Sequence, residues 1–344
     1  MKTIFVVDDS DTNLSMAETA LEDTYRVMTV PSAAKMFSLL DKIIPDLILM
    51  DIEMPEMDGF SALQKLKSIN LWDDIPVIFL TGRTDSEVEA QGFQMGAVDF
   101  ITKPFSPPVL RNRIKTHLNI DEVIREQTTQ LNAMRNSIVT VLADMVENRD
   151  KGTDGHIERT SVYIGILISE MKVLKVYDEE IHDWDIEKMI SSARMHDLGK
   201  ITITDLIVNK SGRLTPHEYE IMKSHTMEGE RIIDAIIART GEGDFLRNAK
   251  LFAGSHHERW DGKGYPRGLK GCEIPLHGRV MAIVDAYDAL VTDKPYKKAF
   301  THEEAVDIIM EKSGVHYDPK IAETFFKINE KIKAVRTENK CVQC

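Results

Sequence analysis

From Met1 to about Leu118, short apolar runs alternate with longer segments in which apolar residues recur at helical spacing. The runs Ile4–Val7, Arg26–Val30, Leu47–Met50, Val77–Leu80 and Phe100–Ile101 read as strands, each followed by enough chain for a helix. That alternation predicts a doubly wound parallel α/β sheet of five strands, flavodoxin-like, whose ligands bind at the carboxyl ends of the strands. Between His117 and Glu147 the pattern changes to one uninterrupted helix without Pro or Gly. Ile124, Leu131, Ile138 and Met145 recur there every seven residues, with Met134 and Val141 three places after the second and third of them. Such a repeat makes a seam that pairs with a second copy of itself. Gln127 interrupts it, and a lone amphipathic helix packed on its own domain would give a similar pattern. From Asn148 onward the spacing stays helical, which predicts an all-α second domain. The expected organisation is therefore 1–120 for the first domain, 121–147 for a helical connector, 148–335 for the helical domain and 336–344 for a flexible tail.

Charge narrows the partners. The chain carries a net charge of −13, and a cut near residue 120 divides it into −7 and −6. Neither part is a basic platform for DNA or RNA, so an anionic ligand would need a local positive site made of metal ions or clustered lysines. No apolar run reaches the roughly 18 residues of a membrane span, and the opening apolar stretch stops at Asp8, as a strand does and a signal peptide does not. Cys272, Cys341 and Cys344 are too few and too unevenly placed for a disulfide framework. A cytoplasmic protein is expected. The terminal Cys341-Val-Gln-Cys344 has the outline of a thiol pair or a prenylation box, but it lacks partner cysteines and reads as tail.

The first candidate site lies at the predicted strand ends. Asp8 and Asp9 follow the first strand, Asp51 the third, Thr81 the fourth, and Lys103-Pro104 the fifth. Asp8 or Asp9 alone could cap a helix, and Thr81 alone could shape a turn. Three carboxylates converging on one crevice, however, repel one another unless a hard cation sits among them, which suits oxygen-ligated magnesium. These residues, with Asp51-Ile52-Glu53-Met54-Pro55 and Met57-Asp58-Gly59, resemble the receiver domain of bacterial response regulators over about residues 1–120. The resemblance implies that Asp51 accepts a phosphoryl group from a sensor histidine kinase, and that Asp8, Asp9, Asp51 and the carbonyl of Glu53 hold magnesium. Thr81 and Lys103 would bind the phosphoryl oxygens, with Phe100 in the place of the switch aromatic.

The second domain spreads ligand-type residues along its helices: His156, His196-Asp197, His225, His256-His257 and Asp285, which include five of the chain's eleven histidines. A single histidine on an apolar helix is ordinarily a satisfied core residue. An adjacent His-Asp pair is different, because a carboxylate can bridge two cations while a neutral imidazole offers one nitrogen. Gly199 and Lys200 then allow close approach and add a positive charge for a phosphate. Further on, Val280, Ile283, Val284 and Tyr287 form an apolar helical stripe that seats Asp285 beside the core, with Asp288 as a polar contact on the same face.

Together with Glu147-Asn148-Arg149-Asp150, Gly155-His156, Lys210 and the string His256-His257-Glu258-Arg259-Trp260-Asp261-Gly262-Lys263-Gly264-Tyr265-Pro266, these residues resemble the HD-GYP branch of the HD superfamily of metal-dependent phosphohydrolases over about 147–325. The resemblance implies a helical bundle that hydrolyses cyclic di-GMP to pGpG, GMP or both. His156, His196, Asp197, His225, His256, His257 and Asp285 would be the ligands of a binuclear centre bridged by Asp197, in which iron, manganese, nickel and zinc all suit the donor set. Asp197 and Lys200 would act in the chemistry, and Lys200, Lys294, Lys297, Gly264, Tyr265 and Pro266 would bind substrate. The implied partners are a histidine kinase and a cyclic dinucleotide, with a second copy of the chain through the connector and a contact with a diguanylate cyclase as further candidates. Two departures stand out. Gly152 occupies the position of the carboxylate found in three-metal members, so two metals are expected, and Lys294 stands where the family has Arg, which removes a bidentate phosphate fork. Two other readings stay open: the same fold acting on cyclic GMP-AMP or another phosphoester, and a signalling adaptor that binds nucleotide or a partner without turnover.

Overall fold

A computed structural model describes residues 1–69, 71–82, 86–150, 155–293 and 298–335 in full, and the backbone of 336–342. The chain divides into two compact units, Met1–Leu131 and Asn132–Cys344.

The first unit is the expected α/β sheet. Strands β1 (Thr3–Val7), β2 (Arg26–Val30), β3 (Leu47–Asp51), β4 (Val77–Thr81) and β5 (Asp99–Thr102) alternate with helices α1 (Asp11–Leu21), α2 (Ala33–Leu40), α3 (Gly59–Lys67) and α4 (Ser86–Gln94). All pairings are parallel, in the order β2-β1-β3-β4-β5. Every residue of β3 and β4 is buried, because a parallel sheet is covered on both faces and its central strands read as continuous apolar runs. Alternate residues serve opposite faces. Ile4, Val6, Leu49 and Leu80 pack with Leu14 and Ala17 of α1 and with Leu110, Ile114 and Leu118, whereas Phe5, Val7, Met50 and Phe79 pack with Met36, Ala62 and Leu63 of α2 and α3. Each fully buried apolar side chain of this size contributes roughly 1.5–3 kcal/mol. Asp51 and Thr81, expected just past their strands, are the last residues within them.

Helix α5 runs from Pro107 to Glu147, ten residues earlier than the sequence pattern suggested. Pro107 and Pro108 suit a first turn, where a missing N–H costs nothing. Its apolar residues fall on two faces. Val139, Ala143 and Val146 are buried, Val139 and Val146 beside Met195, Leu198 and Ile233 of the second unit, while Ile124, Leu131, Met134, Ile138, Val141 and Met145 stay exposed on the helix.

The second unit is helical: α6 (His156–Val173), α7 (Asp178–Ile181), α8 (Ile186–Ala193), α9 (Asp205–Val208), α10 (Pro216–Lys223), α11 (His225–Thr240), α12 (Asp244–Ser255), α13 (Leu276–Val291), α14 (His302–Glu311), α15 (Pro319–Lys327) and α16 (Asn329–Val342). Among the described residues it holds no strand, only the isolated bridges Asp261–Lys270 and Ser313–Tyr317. Its core is α6 packed on α13, with Tyr163, Ile164 and Leu167 against Val280, Ile283, Val284 and Tyr287, and with Phe325 of α15. Helix α16 runs into the stretch 336–344, expected as a flexible tail, as far as Val342. Among the described residues no helix is long and apolar enough to cross a membrane.

Candidate metal centre and phosphoacceptor site

The parallel sheet brings Asp8, Asp9 and Asp51 to one edge, where one oxygen from each can lie within 4.8 Å of the others. Asp8 and Asp51 are buried and Asp9 is exposed. Lys103 Nζ reaches both buried carboxylates, at 2.7 Å from Asp8 Oδ2 and 2.8 Å from Asp51 Oδ2. Its backbone N–H donates to the Thr81 carbonyl at 2.7 Å, which ties the ends of β4 and β5 together. Burial raises the Asp51 carboxyl above its ordinary pKa, against the opposing pull of Lys103. Burial acts to lower the Lys103 ammonium pKa, but its bonds to Asp51 and Asp8 outweigh that and raise it. Phe100 is buried between Phe79 and Phe93, at ring distances of 5.4 and 5.0 Å. Glu53 is exposed one residue after Ile52. The sequence reading missed Asn13, whose amide donates to both oxygens of Asp8 at 3.0 and 3.1 Å.

In the second unit, the ends of four helices and the interior of a fifth converge. His156 opens α6, His196 and Asp197 follow α8, His225 opens α11, His256 and His257 follow α12, and Asp285 lies within α13. They form two triads, His156, His196 and Asp285 on one side and His225, His256 and His257 on the other. Asp197 stands between them. Its Oδ2 lies 3.5 Å from His196 Nε2, and its Oδ1 lies 3.4 and 3.7 Å from Nε2 of His225 and His256. One carboxylate thus offers a separate oxygen to each triad.

The imidazoles carry a local test of whether cations fit. Nδ1 of His196, His225 and His256 lies 2.8, 2.6 and 2.9 Å from the carbonyls of Ala193, Met222 and Phe252. A carbonyl only accepts, so each Nδ1 is assigned the proton and each Nε2 is left as a lone pair. The lone pairs of His225 and His256 face one another, with their Nε2 atoms 3.3 Å apart, and Nε2 of His156 lies 3.5 Å from Nε2 of His196. Opposed lone pairs at that range repel, and a metal ion between them turns the repulsion into coordination. Burial also keeps these rings neutral, the form that ligates: it pushes His196 down to about 4 and, with the neighbouring histidines, His256 down to about 3 and His257 well below its ordinary value. His156 differs. Burial lowers its pKa, but the bond from Nδ1 to Asp288 Oδ2 at 2.9 Å and the charge of Asp285 outweigh that. Asp288 is in turn fixed by Arg159 at 2.7 and 2.8 Å, the carboxylate–histidine arrangement that orients a metal ligand.

Lys200 Nζ sits 2.8 Å from Asp197 Oδ2. Burial acts to raise the Asp197 carboxyl pKa, yet Lys200 and the surrounding histidines hold it well below the usual carboxylate range. Gly199 lets the turn that carries Asp197 and Lys200 pack against α11, since a Cβ there would overlap the His225 carbonyl and the Gly229 amide. Gly199→Ala is therefore expected to push the His196-Asp197 turn away from α11 and to destabilise the second unit by about 1–3 kcal/mol. Denaturant unfolding of the purified variant measures this.

Beside the triads opens a cleft of about 410 Å³, lined by His256, His257, Asp285, Gly264 and Tyr265 and also by Tyr219, Arg259, Lys263, His316 and Tyr317. Tyr265 lies 4.8 Å, ring to ring, from His257. Its loop is folded back by buried Glu258, whose carboxylate accepts the backbone N–H of Arg267 at 2.7 Å and of Leu269 at 3.0 Å. A Cβ at Gly264 would overlap the Arg259 amide. Sequence reasoning did not find Tyr219, His316 or Tyr317, which come from α10 and from the loop after α14, far from the motifs in the chain. Pro266 follows Tyr265 through a cis peptide. Lys294 and Lys297, expected to bind substrate, lie outside the described residues, as does Gly152.

Comparison with known proteins agrees with this architecture. The profile of the response regulator receiver domain matches residues 4–115, and that of the HD domain matches residues 140–321. A Vibrio cholerae protein named "Probable cyclic di-GMP phosphodiesterase" is 37% identical, with 94% of this chain and 77% of that protein covered. The "Cyclic di-GMP phosphodiesterase response regulator RpfG" of Xanthomonas campestris pv. campestris is 30% identical over 94% of this chain and 87% of its own. A "3'3'-cGAMP-specific phosphodiesterase 2" of Vibrio cholerae is 32% identical over 64% of this chain and 38% of its own length. The chain belongs to the response regulators that join a receiver domain to an HD domain of the HD-GYP type.

Proposed function

We propose that this protein is a two-component response regulator whose output domain is a metal-dependent phosphodiesterase acting on cyclic di-GMP under the control of phosphorylation at Asp51. The observation that carries the reading is Asp197, one carboxylate facing two histidine-rich triads with separate oxygens. His156, His196 and Asp285 would hold one ion and His225, His256 and His257 the other, with Asp197 shared; the nitrogen and oxygen donors suit iron, manganese, nickel or zinc. Two such ions supply charge neutralisation at the phosphodiester and an acidified water as nucleophile. The chain's own groups do the rest. Lys200, with Lys294 and Lys297, would hold phosphate oxygens, and Tyr265 would offer its ring to a base across the cleft. In the receiver, Asp8, Asp9, Asp51 and the Glu53 carbonyl would hold magnesium while Asp51 attacks phosphorus. Thr81, Lys103 and Phe100 would carry the change outward, and a sensor histidine kinase would supply the phosphoryl group.

The test is product analysis on metal-loaded protein with cyclic di-GMP and, separately, cyclic GMP-AMP, with and without acetyl phosphate. Linear dinucleotide or GMP from cyclic di-GMP supports the reading, and no product from either nucleotide overturns it. Preference for cyclic GMP-AMP would favour a second reading, motivated by the relative specific for 3'3'-cGAMP.

The exposed seam of α5 supports a homodimer. Ile124, Leu131, Met134, Ile138, Val141 and Met145 are each close to half exposed or more, and pairing would remove them from water at roughly 25 cal/mol per Å². Leu131→Glu with Ile138→Glu is expected to yield a monomer by light scattering with the receiver still accepting phosphate. A monomeric wild-type mass in both phosphorylation states would refute the pairing. The same surface is a candidate for contact with a diguanylate cyclase.

A further inference from the structure

Lys200 is held from two sides. Besides Asp197, its ammonium meets Asp150 Oδ2 at 3.0 Å. Asp150 stands three residues after Glu147, the last residue of α5, and the chain between them is pinned to the segment that follows Lys200. The Arg149 guanidinium donates to the carbonyls of Ile201 and Ile203 at 2.9 and 3.0 Å and pairs with Asp205 at 2.6 Å. The Asn209 amide closes the clasp on the Arg149 carbonyl at 2.7 Å. Glu147 accepts the backbone N–H of His156 at 2.5 Å. Glu147, Asp150, His156, Asp197 and Lys200 line one small cavity beside the metal triads.

An ammonium has three N–H donors and no acceptor. Asp197 and Asp150 take two, and the side chain keeps 18% exposure, so one donor remains for an incoming acceptor. Once Asp197 gives its oxygens to two cations its hold on Lys200 weakens, and Asp150 becomes the group that fixes a long, otherwise mobile side chain. We propose that Asp150 is a positioning residue, orienting the Lys200 ammonium so that its remaining N–H meets a phosphate oxygen, and that the Arg149-clasped turn after α5, which carries Asp150, sets that orientation. The inference rests on the phosphodiesterase reading and on the role of Lys200 within it.

The test uses full-length, metal-loaded protein as wild type, Asp150→Ala, Asp150→Asn, Lys200→Ala and the double variant Asp150→Ala with Lys200→Ala. Turnover is measured on cyclic di-GMP and on the chromogenic diester bis(4-nitrophenyl) phosphate, and affinity for inorganic phosphate is measured by calorimetry, with metal content determined alongside. Asp150→Ala is expected to lower kcat/KM and phosphate affinity about ten- to a hundred-fold at unchanged metal content. Asp150→Asn keeps an acceptor oxygen, and because it is isosteric it also serves where Ala disturbs folding; it should lose only about two- to five-fold. In the Lys200→Ala background, removal of Asp150 should cost nothing further. An equal loss in both backgrounds, no loss at all, or a loss of metal in Asp150→Ala would each overturn the assignment. Cleavage of the chromogenic diester alone would sink the substrate reading and leave the cycle legible. If neither ester is cleaved the phosphodiesterase reading fails, and the phosphate affinities then decide the role of Asp150.

Discussion

Asp197→Ala is expected to abolish turnover of cyclic di-GMP while leaving the receiver able to take phosphate. Asp197 faces both triads, and it also meets the Lys200 ammonium at 2.8 Å. On the binuclear reading, removing it would deprive each metal position of a ligand, and it leaves Lys200 paired with Asp150. The rate loss should be at least about a thousand-fold, the equivalent of several kcal/mol of lost charge stabilisation at phosphorus. Metal analysis should show fewer than two ions per chain. Asp197→Asn separates charge from packing: it keeps the shape and one acceptor oxygen, and should lose nearly as much activity with less loss of stability. Truncation also strips one of two carboxylates from a half-buried ammonium, and the ion pair with Asp150, which remains, limits what that costs the fold. Full turnover in either variant would remove the binuclear reading.

Asp51→Asn should eliminate phosphoryl transfer from acetyl phosphate, seen as the absence of any phosphorylated species by intact mass, and with it every phosphate-dependent change in turnover. It should also stabilise the receiver slightly. Burial holds the folded-state pKa of Asp51 above its ordinary value in spite of Lys103, so the ionised carboxylate is a net cost to the fold at pH values above that raised pKa. Asn removes the cost, for a gain in Tm of about 2 °C. The gain should shrink as pH falls through the raised pKa, where the wild-type carboxyl takes up its proton in the folded state and the penalty disappears. A Tm advantage that grows toward acid would mean that the bond to Lys103 outweighs burial at this site.

Residues whose role is local were legible in the sequence, and residues whose role depends on distant chain were not. Asp51 and Thr81 announce themselves because a buried parallel strand is a run of apolar residues that ends where chemistry begins. The His196-Asp197 pair is recognisable because two ligand types adjoin in one turn. Asp288 was legible as a polar contact because it shares a helix face with Asp285. By contrast, Tyr219 and Tyr317 reach the cleft from elements roughly forty to fifty residues away from the Gly264-Tyr265-Pro266 loop in the chain, and no periodicity marks them. The same is true of Asn13 on Asp8. Glu147 and Asp150 fall between these cases: their motif was visible, but that the end of α5 and the turn after it line a cavity with His156, Asp197 and Lys200 appears only when the chain folds back onto them. The apolar pattern of α5 was ambiguous because its two faces do different work, Val139 and Val146 packing on the second unit while Leu131 and Ile138 face outward.

Between Leu118 and Val139, α5 has twenty residues without a buried side chain. An isolated helix of that length is marginal in water, because nucleation is costly and each added turn gains little without packing. The segment is thermodynamically underwritten only at its ends, by Leu110, Ile114 and Leu118 in one unit and by Val139 and Val146 in the other. If two chains pair along the seam, its helicity is coupled to mass action: pairing would hold the middle turns, and dilution below the dissociation constant would let them melt. Far-ultraviolet ellipticity would then depend on protein concentration, and amide exchange in residues 119–138 would report the association equilibrium more directly than the stability of either folded unit.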